Sequence, residues 1–275
     1  MNWTTRSLGV LIFAAAIHPA AAADMGMPGQ APGLTPSPHW YGSFIGVQGG
    51  YGFGSNAVEA TAATGALASA LGTTIPLATA DSPSGFVIGA RWGTNWQSGP
   101  WVYGFLSDFS YSDIRATETV TLSAGPLLGT RTTTAEQHLN WFGTTRVRGG
   151  YLLGENLLLY GSGGLASGTG EVTVTNVVPG AGCAAGALTC LVGTDSESLW
   201  GWAAGVGAEY KMGQWSLSLD YIHYDLGRKD LTVIDPPSSA FLTTSTRFSG
   251  DMVRGAINYK FNWTFFDVLT GAVRP

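Results

Sequence analysis

Three kinds of residue in this chain could do chemistry, and each is tested by the partners its neighbourhood offers. His138 is followed by Leu139 and Asn140, and His223 by Tyr224 and Asp225. Hydrolysis by a side-chain nucleophile needs a hydroxyl or thiol, a base and a group that orients the base. No such set can be assembled around either histidine, and there is no G-x-S-x-G elbow. His39, His138 and His223 are scattered, and His18 lies in the N-terminal apolar segment, so no zinc-like ligand spacing exists. GGYGFG at 49–54 and GSGG at 161–164 lack the lysine of a phosphate loop and the helix of a dinucleotide fingerprint. The sequence therefore predicts a protein that is not an enzyme and holds no cofactor or metal.

The third kind is a set of charges placed where charge is unexpected. In GFVIGARWGTNW, residues 85–96, Phe86, Ile88, Ala90, Trp92 and Trp96 share one parity, and Arg91 sits on the other. A two-residue period is that of a β-strand, whose side chains alternate between faces. The pattern recurs. Residues 101–113 oppose Trp101, Tyr103, Phe105, Phe109 and Tyr111 to Gly104, Asp108, Ser110 and Ser112. Residues 139–152 set Leu139, Trp141, Val147 and Tyr151 against Asn140, Thr144, Arg146 and Arg148, and 198–211 set Trp200, Trp202, Val206 and Tyr210 against Glu209. Residues 215–225 place Asp220, and 251–263 place Arg254 and Lys260, opposite rows of apolar and aromatic side chains. With 40–53 and 157–168, the latter ambiguous in parity, eight strands are expected.

Composition decides what the greasy face meets. Only 11% of the 275 residues are charged, with 40 glycines and 10 tryptophans, against about a quarter charged in ordinary soluble domains. No stretch beyond the N-terminus approaches the roughly 20 apolar residues of a membrane-spanning helix. The net charge of -5 and the lack of a Lys/Arg cluster argue against a nucleic-acid partner. Short connections at 97–100, 153–156 and 212–214 alternate with long ones at 54–84, 115–137, 173–197 and 226–246. That rhythm belongs to an antiparallel up-and-down transmembrane β-barrel with short periplasmic turns and long outer loops. Trp40, Trp96, Trp101, Trp215 and Trp263 fall at the short-turn or terminal ends and Trp141, Trp200 and Trp202 near the long-loop ends, as two aromatic girdles would. Arg91, Asp108, Arg146, Arg148, Glu209, Asp220, Arg254 and Lys260 then form a lumen charge network. In an interior just wide enough for side chains, these charges must pair or hold water.

The ends of the chain agree with export. Residues 1–23 combine Arg6, an apolar run from Leu8 to Ile17 and Ala21 and Ala23 before Asp24, the pattern of a cleaved signal peptide. Residues 24–39 form a proline-rich linker, 40–263 the barrel and 264–275 a tail. Cys183 and Cys190, the only cysteines, would form a disulfide in an oxidising compartment, worth roughly 2 to 3 kcal/mol in the chain-entropy account. The loop at 57–80 is unusually apolar, which suits packing against neighbouring loops or lipopolysaccharide, or a binding patch.

LNWFGTTRVRGGY followed by LLLYGSGGLASG, then WGWAAGVGAEY and the final VRGAINYKF, resemble the small OmpA-like outer-membrane β-barrels of alphaproteobacteria, which include surface antigens and hemin-binding proteins. The resemblance covers about residues 40 to 263. It implies a Gram-negative outer-membrane location, lipid and lipopolysaccharide as surroundings, and insertion by the outer-membrane assembly machinery. A terminal aromatic assembly signal would fall at Phe261 and Trp263, although TFFDVLTGAVRP continues beyond them. The expected function is a structural, membrane-stabilising surface protein; a loop-borne receptor or adhesin, or less favourably a narrow porin, are the alternatives.

Overall fold

In the computed structural model, residues 40–54, 58–63, 82–123, 130–177, 180, 190–235 and 240–271 are described. The expected signal peptide and linker, 1–39, lie outside them. Nine strands follow in chain order: β1 (Gly42–Phe53), β2 (Val58–Ala63), β3 (Ser84–Ser98), β4 (Trp101–Ser123), β5 (Thr130–Leu153), β6 (Leu157–Val177), β7 (Cys190–Met212), β8 (Trp215–Asp235) and β9 (Ala240–Lys260). A short helix, α1 (Phe265–Thr270), ends the described chain.

Each strand pairs antiparallel with the next around the ring, and β1 closes it on β9, from Phe44 opposite Lys260 to Phe53 opposite Asp251. β2 continues the same pairing on β9, with Val58 opposite Thr246. β1 and β2 therefore make one stave, and the architecture is an eight-stranded antiparallel barrel. Residues 58–63 of the expected apolar loop are thus sheet. The short turns work because Gly99, Gly154 and Gly213 take positive φ, a conformation costly for any residue with a Cβ.

Alternation holds through the lower part of the tube. Ile45, Val47, Phe86, Ile88, Trp92, Tyr103, Phe109, Val147, Val206, Leu217, Leu219 and Ile257 are exposed on the outer wall, while the expected charges are buried inside. The ambiguous sixth strand resolves: Leu159 and Leu165 point out and Leu158 and Tyr160 point in. Where two elements press together inside, glycine leaves the room. A methyl group on Gly170 would stand 2.6 Å from the Phe248 ring, and one on Gly207 would stand 2.7 Å from Tyr160.

The strands run further than their apolar alternation. Much of 115–137, 173–197 and 226–246, expected as loops, is paired sheet. The reason is threonine, whose β-branch favours an extended backbone and whose hydroxyls meet across strands. Thr119 meets Thr134 and Thr121 meets Thr132 at 3.2 Å, and Thr173 meets Thr194 at 3.1 Å. An apolar-contrast rule misses such strands because their two faces differ little in polarity.

Bulges mark the transition. Register shifts fall between Tyr111 and Ile114 on β4, between Leu139 and Trp141 on β5, and between Asp225 and Arg228 on β8. On β5 the extra residue flips the parity. Phe142 faces in and Trp141 out, but above the bulge Leu139, Gln137 and Ala135 face in. Leu139, expected on the outer row with Trp141, is for this reason a core residue. It joins Val87, Ile114, Phe142, Val172, Leu199, Ile222, Leu226, Phe248 and Met252 in an apolar core filling the upper lumen. A smaller core of Trp40, Val102, Leu152, Leu158 and Tyr160 fills the lower mouth.

Candidate functional site

Between these two apolar layers lie all eight expected lumen charges, each 7% exposed or less. β4 brings in Asp108, which anchors the upper group. Arg254 from β9 reaches Oδ1 with Nη1 at 2.9 Å and Oδ2 with Nη2 at 3.2 Å, a two-point grip. Arg146 from β5 donates Nη2 to Oδ2 at 3.2 Å, and Thr144 donates its hydroxyl there at 2.6 Å. On the other side of the lumen, Asp220 of β8 accepts from Arg91 Nη1 at 2.9 Å and from the Tyr160 hydroxyl. Glu209 of β7 anchors the lower group, with Arg148 Nη1 at 2.8 Å, Lys260 Nζ at 3.2 Å and the Ser216 hydroxyl at 2.6 Å.

The chemistry of this arrangement is mutual neutralisation. Each carboxylate is met by at least one cation, and hydroxyls take up further lone pairs. Removing a charge pair from water costs several kcal/mol per ion, and only close geometry with added hydrogen bonds offsets it. Arg148 also lies 4.8 Å from the Phe44 ring centre and 5.2 Å from that of Tyr160, and Lys260 Nζ lies 4.0 Å from that of Trp40. These ring faces give the cations partners that a carboxylate count omits.

Trp40 corrects the girdle expectation. It is 1% exposed, hydrogen-bonds through Nε1 to the Glu155 carbonyl at 3.0 Å, and closes the lower mouth under Lys260. Its position just before β1 lets it fold under the tube; as an interfacial residue it would have had to continue the outer row. The other seven tryptophans expected in the girdles lie on the outer wall. Trp101, Trp200, Trp202 and Trp215 are exposed, while Trp96, Trp141 and Trp263 are half-buried against Tyr103, Phe109 and Phe261.

Sequence reasoning missed Tyr160, hidden in a strand without clear parity, and Asn95, whose Oδ1 accepts from Arg148 Nε at 2.9 Å. Asn95 was legible as a polar residue on the Arg91 row; its role as a guanidinium partner was not. The two histidines among the described residues lie at the upper rim. His223 faces outward beside Trp202, with Nδ1 2.9 Å from Asp251, which also accepts from the Tyr221 hydroxyl at 2.7 Å. His138 stands 3.6 Å from Asp113, itself 2.5 Å from Arg115. Partial burial, then the nearby Arg115 charge, lowers the His138 pKa. Cys183 lies outside the described residues, and Cys190 opens β7.

Below the lower rim, the expected tail folds back on the closing seam. Ser43 N donates to the Trp263 carbonyl at 2.8 Å, and Phe265 N donates to Ser43 Oγ at 2.9 Å. Thr264 caps α1 in a reciprocal box with Asp267, and the Tyr41 hydroxyl reaches Asp267 at 3.0 Å. These hydrogen bonds, first those from Thr264, hold the Asp267 carboxyl below its usual range.

The profile of the outer membrane protein beta-barrel domain matches residues 8–261. The 31 kDa outer-membrane immunogenic proteins of Brucella melitensis biotype 1 and Brucella suis biovar 1 are each 34% identical over 187 residues, covering 64% of this chain and 67% of theirs. Among solved structures, the outer membrane protein OprG from Pseudomonas aeruginosa is similar at 14% identity and a TM-score of 0.44, covering 82% of this chain and 98% of that one.

Proposed function

The chain belongs to the outer membrane protein β-barrel family and resides in the Gram-negative outer membrane, and from that premise we propose that it is a closed, non-catalytic barrel that braces the membrane and displays its outer hairpins as a surface antigen. The observation that carries this reading is the filled lumen. A paired charge network lies between an apolar upper core and the Trp40 mouth, in an interior that eight strands make just wide enough for side chains. Such an interior is rigid and leaves the outer surface as the working face. The relatives named as immunogenic are consistent with exposure of that face. Residues 1–23 act as the export signal in this reading, and Cys183 and Cys190 are joined after export.

The test is single-channel recording of the refolded protein in planar bilayers, with hemin titrated into a parallel sample. Silence in both supports the brace. Stable openings of nanosiemens size would replace it with a porin, and saturable hemin binding lost on deletion of 64–81 would replace it with a loop-borne receptor.

A further inference from the structure

The outer wall carries a groove of about 760 Å³ that crosses the strands from β4 to β9. That volume lies within the roughly 300 to 1,000 Å³ of clefts that hold small molecules. One cross-strand row sets Trp101, Tyr151 and Leu159 side by side, and the next, two residues higher on β5 and β6, sets Gly149, Gly161 and Val206. Leu219, Tyr221 and Val253 line the far end. Asp220 and Tyr160 border the floor, but their side chains are buried on the lumen side, so the groove itself presents no charge.

The floor is glycine where the fold does not require glycine. Toward the lumen, crowding forces the choice: a methyl group on Gly150 would stand 2.4 Å from the Leu159 carbonyl oxygen. On Gly149 it would meet nothing within 4 Å, and on Gly161 only the Gly205 carbonyl oxygen at 4.0 Å. Neither residue takes the positive φ that would exclude a side chain. A glycine inside a strand weakens it, and often marks a place where a ligand or another backbone approaches closely. The surroundings decide what approaches. Val147 above the groove and Leu217 below it are exposed on the lipid-facing wall, so the groove is continuous with the membrane contact. A second copy fits it poorly, because a two-fold pair sets the same surface against itself, and two facing grooves enclose a void.

We propose that this groove seats one acyl chain of a glycerophospholipid from the leaflet on the short-turn side, with the ester end of the chain at Trp101 and Tyr151. A methylene chain is slender and unbranched, so it touches the bare backbone floor and both walls at once, and dispersion contacts accumulate along its length. Trp101 opens β4 beside a short turn and meets the Tyr151 ring edge-on at 5.1 Å. Both rings are exposed. Their indole N–H and hydroxyl supply donors at the membrane surface, where such amphipathic rings collect and where an ester carbonyl lies. The groove belongs to the wall and is independent of the closed lumen: a conducting barrel with the same wall would hold the same chain.

The probe is phosphatidylethanolamine with a diazirine midway along one acyl chain, mixed into vesicles of phosphatidylethanolamine and phosphatidylglycerol that hold the full refolded chain. After illumination, peptides covering 149–161 and 206–221 should carry several-fold more label than 86–92, which faces the same bilayer on β3 outside the groove. Gly161→Leu fills the floor with a side chain for which the wall has room, and should bring the groove peptides down to the level of 86–92. Gly149→Val tests the same floor from β5 and keeps the outcome readable if the first variant folds poorly. Even labelling of all these peptides in the native chain overturns the site, as does groove labelling that survives both substitutions. Loss of the groove label to an equal amount of unlabelled lipid A would assign the groove to the lipid of the opposite leaflet. A detergent-stable dimer that Gly161→Leu dissociates would assign it to a second copy, and either result overturns the phospholipid.

Discussion

The lower and upper parts of the tube carry opposite alternations on continuous strands. In the lower part, Val147, Leu219 and Ile257 point outward and Arg146, Asp220 and Arg254 inward. Above the bulges Ala135, Val172 and Val174 point inward and Thr119 and Thr121 outward. Both patterns follow from what lies outside. Where lipid surrounds the wall, apolar side chains gain nothing by turning inward, and the interior is free to hold polar groups that satisfy each other. Where water surrounds it, the interior must supply the hydrophobic driving force itself. The change of solvent thus predicts two different modes of failure, electrostatic below and cavity-forming above.

The largest expected effect lies in the lower part. Asp108→Ala would strand Arg146 and Arg254 together, and breaking a buried pair costs roughly 3 to 5 kcal/mol. Urea midpoints in lipid vesicles should fall accordingly. A change within experimental error would mean that water screens this lumen, and the contrast between the two regions would be lost. In the upper part Leu139→Ala should cost about 2 to 5 kcal/mol through its cavity. Because Leu139 is buried only by virtue of the β5 bulge, a negligible cost would put that residue back on the outer wall.

A single probe placed on both outer walls sharpens the comparison. Leu219→Arg puts a cation on the lipid face near mid-height, at a cost of roughly 2 to 4 kcal/mol. Thr173→Arg puts the same side chain on the water-facing hairpin and should change stability by no more than about 0.5 kcal/mol. Equal penalties would show that the membrane boundary lies higher than the bulges.

The lower region was legible in the sequence because its two faces differ maximally in polarity. Arg91 among Phe86, Ile88 and Trp92 declares both the period and the inside-out sense. The upper region was not, since Thr117, Thr119 and Thr121 alternate with Ala116, Glu118 and Val120 without enough contrast to separate strand from loop. Bulges carry no polarity signal, so the inward turn of Leu139 was hidden as well. Within the lumen, the eight charges could be placed on one face by parity, but the partner of each could not. Pairing depends on reach across the tube, as between Arg254 and Asp108, which are 146 residues apart.

The smallest effect concerns the clasp at the lower end, where neither lipid nor a core dominates. Asp267 accepts from Thr264 N at 2.7 Å and from the Tyr41 hydroxyl at 3.0 Å, and these bonds to its charged form depress its folded pKa. A carboxyl shifted in that direction contributes stability that is complete above its unfolded pKa and is lost as pH falls through the folded one. The docking of α1 should therefore be constant around neutral pH and weaken only below the ordinary aspartate range of about 4. Asp267→Asn should weaken it at neutral pH and remove the acid dependence, because the amide carries no charge at any pH. Amide hydrogen exchange along 264–271, read beside that of 44–53 as an internal control, distinguishes the cases. Faster exchange in the tail alone, in acid or in the variant, supports a local clasp on the β1–β9 seam. Simultaneous loss of protection in β1 would make the clasp part of the barrel's own cooperative unit, and the lower end would then behave as the charged lumen does.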